Sequence, residues 1–302
     1  MPLQGKNLRS LYNPEERLLH LNNGLNSGQI NFLLGREIAF QWMRMKNRSL
    51  GTPPQRVMDF EENLNNLKAS YFSAALMMPK KNLSADFKAF GKHKKWDPEL
   101  FLGLMTKYHV TPEMLMQRLT NILPTVFGVE NLFFLRFVAH SADKFTLTKE
   151  LHLSERNDPH HANELNEHYC RRWISLEILQ ELYQQVKANP DKQFIAGIQR
   201  SRYFESESEY LCLSIAFPNV SNREEAISVT VGFLIDDRLG DHLKFLDDPD
   251  IPAKLVNTTC ERCPISDCKE RAYDAVIHKQ SQHEEAIKND IVDLLGTQRG
   301  VA

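Results

Sequence analysis

The sequence predicts an α+β fold with a mostly helical first part and a second part that contains an antiparallel sheet. Apolar residues recur at helical spacing in the first part, whereas the second part has apolar runs with the twofold period of strands. All nine methionines lie at or before Met116, and all five cysteines lie at or after Cys170. Since a length of 302 residues suits two domains, we predict a helical domain over 1–126 and an α+β domain over 127–302.

The first domain is predicted to begin with a hairpin, with strands at 8–12 and 18–21, and to continue with helices. Capping residues and prolines mark several helix ends. The four helices are predicted over 27–45, 58–77, 97–108 and 111–123. The first of them carries an apolar stripe at helical spacing, formed by Ile30, Leu34, Ile38, Trp42 and Met45.

The second domain is predicted to hold a sheet and one long amphipathic helix. Its strands are expected over 132–138, 194–203, 210–217 and 227–235. The helix is expected over 172–188, and a polar helix is expected from residue 278 onward. The runs of strands with one intervening helix favour a largely antiparallel sheet.

Composition excludes several classes of protein. The 37 Lys and Arg against 39 Asp and Glu give a net charge of −2, so the chain lacks the positive field of an autonomous nucleic-acid binder. It contains no long apolar run of the membrane-spanning kind, and its start lacks the apolar core of a secretory signal. We therefore expect a cytoplasmic protein with no membrane partner.

The cysteines form the strongest site signal. Cys260, Cys263 and Cys268 follow a Cys-x2-Cys-x4-Cys spacing, and loops of that length direct several thiolates at one point. A fourth ligand is needed, and Cys170 is our candidate because Cys212 has the surroundings of a core residue in a strand. The spacing fits Zn²⁺ and a [4Fe–4S] cluster equally well, so both remain open.

Two segments of the first domain are distinctive: they read Phe-Leu-Leu-Gly-Arg-Glu-Ile-Ala-Phe at 32–40 and Tyr-Phe-Ser-Ala-Ala-Leu-Met-Met-Pro at 71–79. Together they resemble the ImmA/IrrE metallopeptidase-like domain. Active members of that family carry His-Glu-x-x-His, whose histidines bind zinc and whose glutamate is the general base. Here Arg36 and Phe40 occupy the histidine positions and Glu37 is retained, while the stretch matching the third ligand reads Asn-Leu-Lys at 66–68. The resemblance therefore implies a degenerate domain, and we predict no enzyme activity.

The segment 96–123 resembles the helix-turn-helix-like module of the same family. The face that would read DNA carries Met114 and a single arginine, Arg118. Such a face lacks the basic side chains that dominate phosphate contact. We interpret the module as a packing or dimer element and assign no DNA-binding residue.

A wider resemblance rests on six segments, which are 72–79, 109–119, 168–173, 197–203, 210–212 and 260–271. In these segments the chain resembles the short-chain fatty acyl transcriptional regulators. It implies a sensory body that responds to an acyl-CoA ligand and carries an iron–sulfur cluster on the cysteines, which favours [4Fe–4S] over Zn²⁺. The N-terminal helix-turn-helix domain of that family has no counterpart here, so the chain is either part of a longer regulator or acts without its own DNA reader.

A CoA ester would need cationic side chains for its phosphates. Arg200 and Arg202 lie on one face of a predicted strand and are our candidates. The alternative is that they form ion pairs with Glu205, Glu207 or Glu209 on the facing strand. We expect the sensory and dimerisation body of a regulator that acts as a homodimer, and the alternative is a zinc-stabilised DNA-binding or protein-interaction module without a small-molecule effector.

Overall fold

The structure is a computed structural model that describes residues 8–53, 59–153, 167–188, 193–204, 206, 208–219, 222 and 225–298. Its strands are β1 (Ser10–Asn13), β2 (Leu18–Leu21), β3 (Gly51–Thr52), β4 (Leu132–Ala139), β5 (Phe145–Leu153), β6 (Ile195–Tyr203), β7 (Glu209–Pro218), β8 (Ala226–Leu234) and β9 (Ala253–Val256). Its helices are α1 (Ser27–Trp42), α2 (Phe60–Met77), α3 (Lys80–Gly91), α4 (Pro98–Tyr108), α5 (Pro112–Phe127), α6 (Ile174–Ala188), α7 (Asp237–His242) and α8 (Val276–Gln298).

The chain begins with a small three-stranded sheet and a helix pair. The strands pair antiparallel in the order β2-β1-β3, and α1 packs against α2. Helix α1 begins at a capping box in which Asn26 and Gln29 exchange backbone and side-chain hydrogen bonds. Gly35 allows the helices to approach closely, because a Cβ there would collide with Ser73 of α2. The predicted hairpin and the two helices are confirmed.

The apolar stripe predicted on α1 does not form its buried face. Leu34, Ile38 and Trp42 are exposed, and Trp42 retains 79% of its accessible surface. The buried side of α1 instead carries residues such as Leu33 and Phe40. The helical period is therefore right, but the core lies on the neighbouring face, where small residues allow contact with α2.

The second sheet has six strands in the order β5-β4-β8-β7-β6-β9, and every pair is antiparallel except β6 with β9. Alternate side chains enter opposite layers, as the period of a strand requires. On β4, Phe134 joins the core beneath α3, α4 and α5, whereas Phe133 and Phe137 join the core beneath α6. The α+β fold with a mostly antiparallel sheet is confirmed.

Helices α3 to α5 cover one face of this sheet. Their side chains share a single core with strands β4, β6, β7 and β8, so the packing crosses the predicted boundary at 126/127. That boundary stays a prediction. The proline starts of α4 and α5 are confirmed, with Asp97 and Thr111 as N-caps. Across the described residues, no helix combines the length and the apolar character needed to cross a bilayer.

Candidate functional site

The structure brings Cys170 alongside the Cys-x2-Cys loop through a short backbone bridge. Tyr169 pairs antiparallel with Thr259. The Cys170 N–H donates to the Thr258 carbonyl at 3.1 Å, and the Cys260 N–H donates to the His168 carbonyl at 2.8 Å. This bridge connects the segment before α6 with the segment after β9, although about ninety positions separate them in sequence.

Arg271 holds the cysteine loop in a turn. Its Nη1 donates to the Cys260 carbonyl at 2.9 Å, and its Nη2 donates to the carbonyls of Cys263 (3.2 Å) and Ile265. The Cys263 N–H closes the turn onto the Cys260 carbonyl at 3.2 Å. The guanidinium therefore satisfies backbone carbonyls that would otherwise point out of the loop.

The four predicted ligands lie on the two segments that the bridge connects. Cys170, Cys260 and Cys263 are buried, and Cys268 is half-buried. Burial raises the pKa of the Cys170 thiol to about 11; backbone hydrogen bonds from Asn257 and Arg172 lower this pKa, and the charges of Cys260 and Cys263 raise it. Burial also raises the pKa of Cys263, on which Cys260 and Cys268 act as further negative charges. Burial is therefore the main influence on the thiols of Cys170 and Cys263, and the charges of the neighbouring cysteines act in the same direction.

Cys212 lies elsewhere, as predicted. It is buried in the middle of β7, and burial raises the pKa of its thiol to about 12. Its partners are the Tyr210 carbonyl and Ser201 rather than another cysteine. Cys212 is therefore a core residue of the layer beneath α6.

The donor set is chemically suited to a metal centre. Four thiols are the ligands of structural zinc and of [4Fe–4S] clusters alike, and the Ala272 N–H donates to the Cys260 sulfur at 3.5 Å, a bond that stabilises a thiolate. Among the described residues, no three Cys, His, Asp or Glu side chains are drawn together tightly enough to form a closed metal site. The assignment of Cys170, Cys260, Cys263 and Cys268 as ligands therefore stays a prediction.

The sequence did not predict the two carboxylates that lie beside the cysteines. Glu261 accepts the His168 N–H and bonds its Nδ1 at 2.7 Å, while the His168 ring stacks on Tyr273 at 3.9 Å. Glu167 is nearly buried and pairs with Arg262 at 2.7 Å. Both carboxylates fix the bridge, and neither has a spacing in the sequence that would indicate its partner.

The positions that hold zinc in the peptidase family carry residues of a different chemical type. Arg36 donates its Nη1 to the Thr52 hydroxyl at 2.8 Å and its Nη2 to the Asn66 side-chain carbonyl at 3.2 Å. Glu37 forms a two-bond ion pair with Arg48. These residues do not fit a zinc ion, because the cationic guanidinium stands where a neutral imidazole would be needed. Glu37 is held in this ion pair, and its structural role stays a prediction.

The two arginines chosen for a CoA ester are placed differently from each other. Arg200 forms a two-bond ion pair with Glu209, at 2.8 and 3.0 Å. Arg202 is exposed. The ion-pair alternative therefore describes Arg200, while Glu205 and Glu207 lie outside the described residues. The role of Arg200 and Arg202 in ligand binding stays a prediction.

The helix-turn-helix-like module turns its arginine inward. Arg118 is 4% exposed, donates its Nε to the Met78 carbonyl at 3.2 Å and lies over the ring of Tyr71. A side chain held in this way does not reach a DNA phosphate. This placement agrees with the interpretation of α4 and α5 as packing elements.

Comparisons with known proteins agree with this architecture. A family model described as the IrrE N-terminal-like domain, Peptidase_M78, matches residues 1–120. Among solved structures, the chain is similar to a Mycobacterium tuberculosis transcriptional regulator, with a TM-score of 0.58, 15% sequence identity, and coverage of 90% of this chain and 76% of that one. A comparison with curated proteins finds no match. At this identity the structural similarity shows a shared fold.

Proposed function

We propose that the chain is the sensory and dimerisation body of a transcriptional regulator of the short-chain fatty acyl type. The observation that carries the proposal is the backbone bridge that joins Cys170 to the loop of Cys260, Cys263 and Cys268. The fold similarity to a regulator and the IrrE-like first part support the same conclusion. The finer identity, including an acyl-CoA effector, rests on the sequence resemblance.

We propose that the protein is not a peptidase. The general base of that chemistry needs a metal-bound water, whereas Glu37 is neutralised by Arg48. Arg36 replaces one ligand and bonds Asn66, which lies in the stretch that matches the third. Among the described residues at these positions, neither Arg36 nor Glu37 is placed to activate a metal-bound water.

A [4Fe–4S] cluster is the proposed cofactor, with Zn²⁺ as the alternative. Cys170, Cys260, Cys263 and Cys268 would hold it, and a cluster would supply redox sensitivity. The chain's own residues then connect the centre to the sheet, because β9 leads directly into the cysteine loop and Cys170 leads directly into α6. A change at the centre would thus act on both an edge strand and the covering helix.

Homodimerisation is the proposed assembly, and DNA contact is proposed to be made by a helix-turn-helix domain outside this sequence. The exposed stripe of Leu34, Ile38 and Trp42 supplies an apolar surface of the kind that proteins bury in interfaces. A ligand that binds one of two arrangements of the protomers more tightly would then change how the attached DNA-binding domains are positioned.

Metal and acid-labile sulfide analysis of anaerobically purified protein tests the centre. We expect about four iron and four sulfide per chain in the wild type. Cys170→Ser should lose most of both, and the matched control Cys212→Ser should keep them because Cys212 is a core residue of β7. Stoichiometric zinc without sulfide would contradict the cluster and support Zn²⁺ as the bound metal. Full retention in Cys170→Ser would contradict the ligand assignment.

Titration with CoA esters tests the effector. Arg202→Ala should weaken binding of an acyl-CoA, because one phosphate contact is lost. The exposed Arg238 on α7 provides the control variant Arg238→Ala. Absence of binding by any CoA ester would contradict the acyl-CoA sensor and favour a zinc-stabilised interaction module if the centre also holds zinc.

A further inference from the structure

The charge of the chain is distributed unevenly, and one short segment is strongly basic. Residues 80–95, which form α3 and the turn that follows it, contain six lysines and one histidine but a single acid, Asp86. With histidine neutral, this segment has a net charge of +5 in a chain whose net charge is −2, so the remaining residues sum to −7. Charge that is concentrated in this way creates a local positive field on a molecule that is nearly neutral as a whole.

The lysines of α3 form one exposed surface, which we call the lysine face. Its members, all exposed, are Lys80, Lys81, Lys88 and Lys92. Positions 81, 88 and 92 are separated by seven and four residues, so they follow a single stripe along the helix. At 1.5 Å per residue the stripe is about 16 Å long. The Lys88 ammonium also lies 5.6 Å from the centre of the Phe127 ring, a contact that leaves its charge in place.

The lysine face is carried by a firmly packed helix. The opposite side of α3 places Leu83, Phe87 and Phe90 in the core that the helices share with the sheet, and none of the three is more than 5% exposed. Gly91 ends the helix against the His242 carbonyl, where a Cβ would collide. The four lysines therefore project from a fixed backbone, so their spacing along the helix is constant.

Neighbouring acids do not neutralise the lysine face. The carboxylate of Asp86 accepts the Lys107 ammonium of α4 at 2.7 Å. The ion pair between Lys95 and Asp250 lies beyond the end of α3. Among the described residues, no carboxylate pairs with a lysine of the face. The face is therefore a row of free positive charges.

The surroundings of the row favour a phosphate backbone over a lipid surface. A helix that lies on a membrane exposes large apolar side chains beside its lysines, whereas the exposed large hydrophobic residues of the described chain include none between Leu76 and Leu100. The exposed residues between the lysines include Ala85 and Ala89, whose small size lets a phosphate approach the helix. Lysine suits such contacts because its ammonium is a compact point charge on a flexible stem.

We propose that the lysine face binds the phosphate backbone of duplex DNA. The inference rests on the proposed regulator function, because the body of a regulator lies beside the DNA that its reader domain holds. Phosphates recur about every 3.4 Å along each strand of the duplex, so the stripe faces several of them at once. Contacts of this kind position a protein without reading the bases, and they add to the contacts of the reader domain.

Fluorescence anisotropy of a short labelled duplex, titrated with the full chain, tests the proposal. We expect binding that weakens about 40-fold when sodium chloride is raised from about 50 to about 200 mM, the effect of three phosphate contacts. The triple variant Lys81→Gln, Lys88→Gln, Lys92→Gln should lower the slope of log affinity against log salt by about 2.7, which is about 0.9 per lost contact. The salt dependence of the wild type is a test that needs no variant.

The matched control is the triple variant Lys144→Gln, Lys279→Gln, Lys288→Gln. It removes the same charge from exposed residues outside the lysine face, and it should bind DNA like the wild type. Equal weakening in both triple variants would overturn the proposal, because net charge alone would then explain the binding. It is also overturned if the wild type does not bind DNA up to about 100 μM at the lower salt, or if it binds vesicles of anionic lipid more tightly than DNA.

The metal content and the CoA-ester affinity of the lysine-face variant separate this proposal from the proposed function. Both should match the wild type, because α3 packs into the core on one side of the large sheet and Cys170 and α6 pack into the core on the other. A wild-type chain that holds its centre and a CoA ester but does not bind DNA contradicts the lysine face alone. A chain that binds DNA through this face without a centre or a CoA ester contradicts the sensory function and supports the lysine face.

Discussion

At the scale of single residues, Gly232 of β8 packs closely against a side chain of the neighbouring strand β4. It lies opposite Phe133 in the register of β4 and β8. A Cβ at this position would overlap the phenyl ring of Phe133. The ring belongs to the core beneath α6 and is nearly fully buried, so it has little room to move.

Gly232→Ala should therefore destabilise the protein by about 1–3 kcal/mol, as overpacking of a core does. Gly103→Ala in α4 is the matched control, because a Cβ there meets no atom within 4 Å. It should be neutral or stabilising, since alanine favours helices. Urea unfolding midpoints compare the two, and equal midpoints would contradict the clash.

Arg271 is predicted to control retention of the proposed metal centre. Arg271→Met removes the donors to the carbonyls of Cys260 and Cys263 and should release metal faster to a chelator. Lys269→Met removes a charge from an exposed residue of the same loop and should release metal at the wild-type rate. Identical rates in both variants would show that the arginine does not hold the loop.

At this scale the sequence points to the cysteines as a candidate site but does not predict the carboxylates around them. The spacing of Cys260, Cys263 and Cys268 is local, so it is visible in one dimension. The pairing of Glu37 with Arg48 and of Glu167 with Arg262 depends on how distant segments meet. Such contacts leave no periodic signal in a single sequence.

At the scale of elements, α3 and α4 are joined by a polar clamp. Asp86 of α3 accepts the Lys107 ammonium at 2.7 Å and the Tyr108 hydroxyl at 2.5 Å, both from α4. Burial acts to raise the pKa of Asp86, but the hydrogen bonds from Lys107 and Tyr108 and the charge of Lys107 outweigh it, so this pKa lies below its usual value. The clamp therefore depends on an ionised carboxylate.

Asp86→Asn should lower the free energy of unfolding at pH 7 by about 1 kcal/mol, the contribution of a hydrogen bond. A lowered pKa in the folded state gives stability that is present above the ordinary pKa and is lost as pH falls through the folded value. The difference between variant and wild type should therefore shrink below about pH 4. Asp290→Asn on the exposed face of α8 is the control, and a difference independent of pH would contradict the clamp.

Elements with strong periodicity were predictable, and those defined by tertiary contact were not. Strand β9 has four residues and forms by pairing with β6, while β5 is an edge strand with mostly exposed side chains. Helix α3 begins directly after Pro79. In the sequence, a proline at this position predicts the end of α2 and gives no sign that a new helix begins. The exposed stripe of α1 shows the same limit, because periodicity fixes an apolar face but not which surface covers it.

At the scale of the whole molecule, the large sheet lies between two helical layers and α1 presents an apolar surface. Trp42→Glu should shift the protein from dimer to monomer in sedimentation experiments, because a charge would be buried in the proposed interface. Trp42 is 79% exposed, so the monomer fold should tolerate the change. Leu100→Glu, at an exposed residue of α4, should remain a dimer. Dimers in both variants would place the interface elsewhere.

The parallel pairing of β9 with β6 has a consequence for solubility. Strand β9 covers Arg200–Tyr203 of β6 and then runs into the cysteine loop. If the loop loosens, β9 is released and the backbone donors and acceptors of β6 become available to other chains, which is the usual start of aggregation through sheet edges. If the proposed centre holds the loop, protein made in cells depleted of iron and zinc should therefore accumulate in the insoluble fraction.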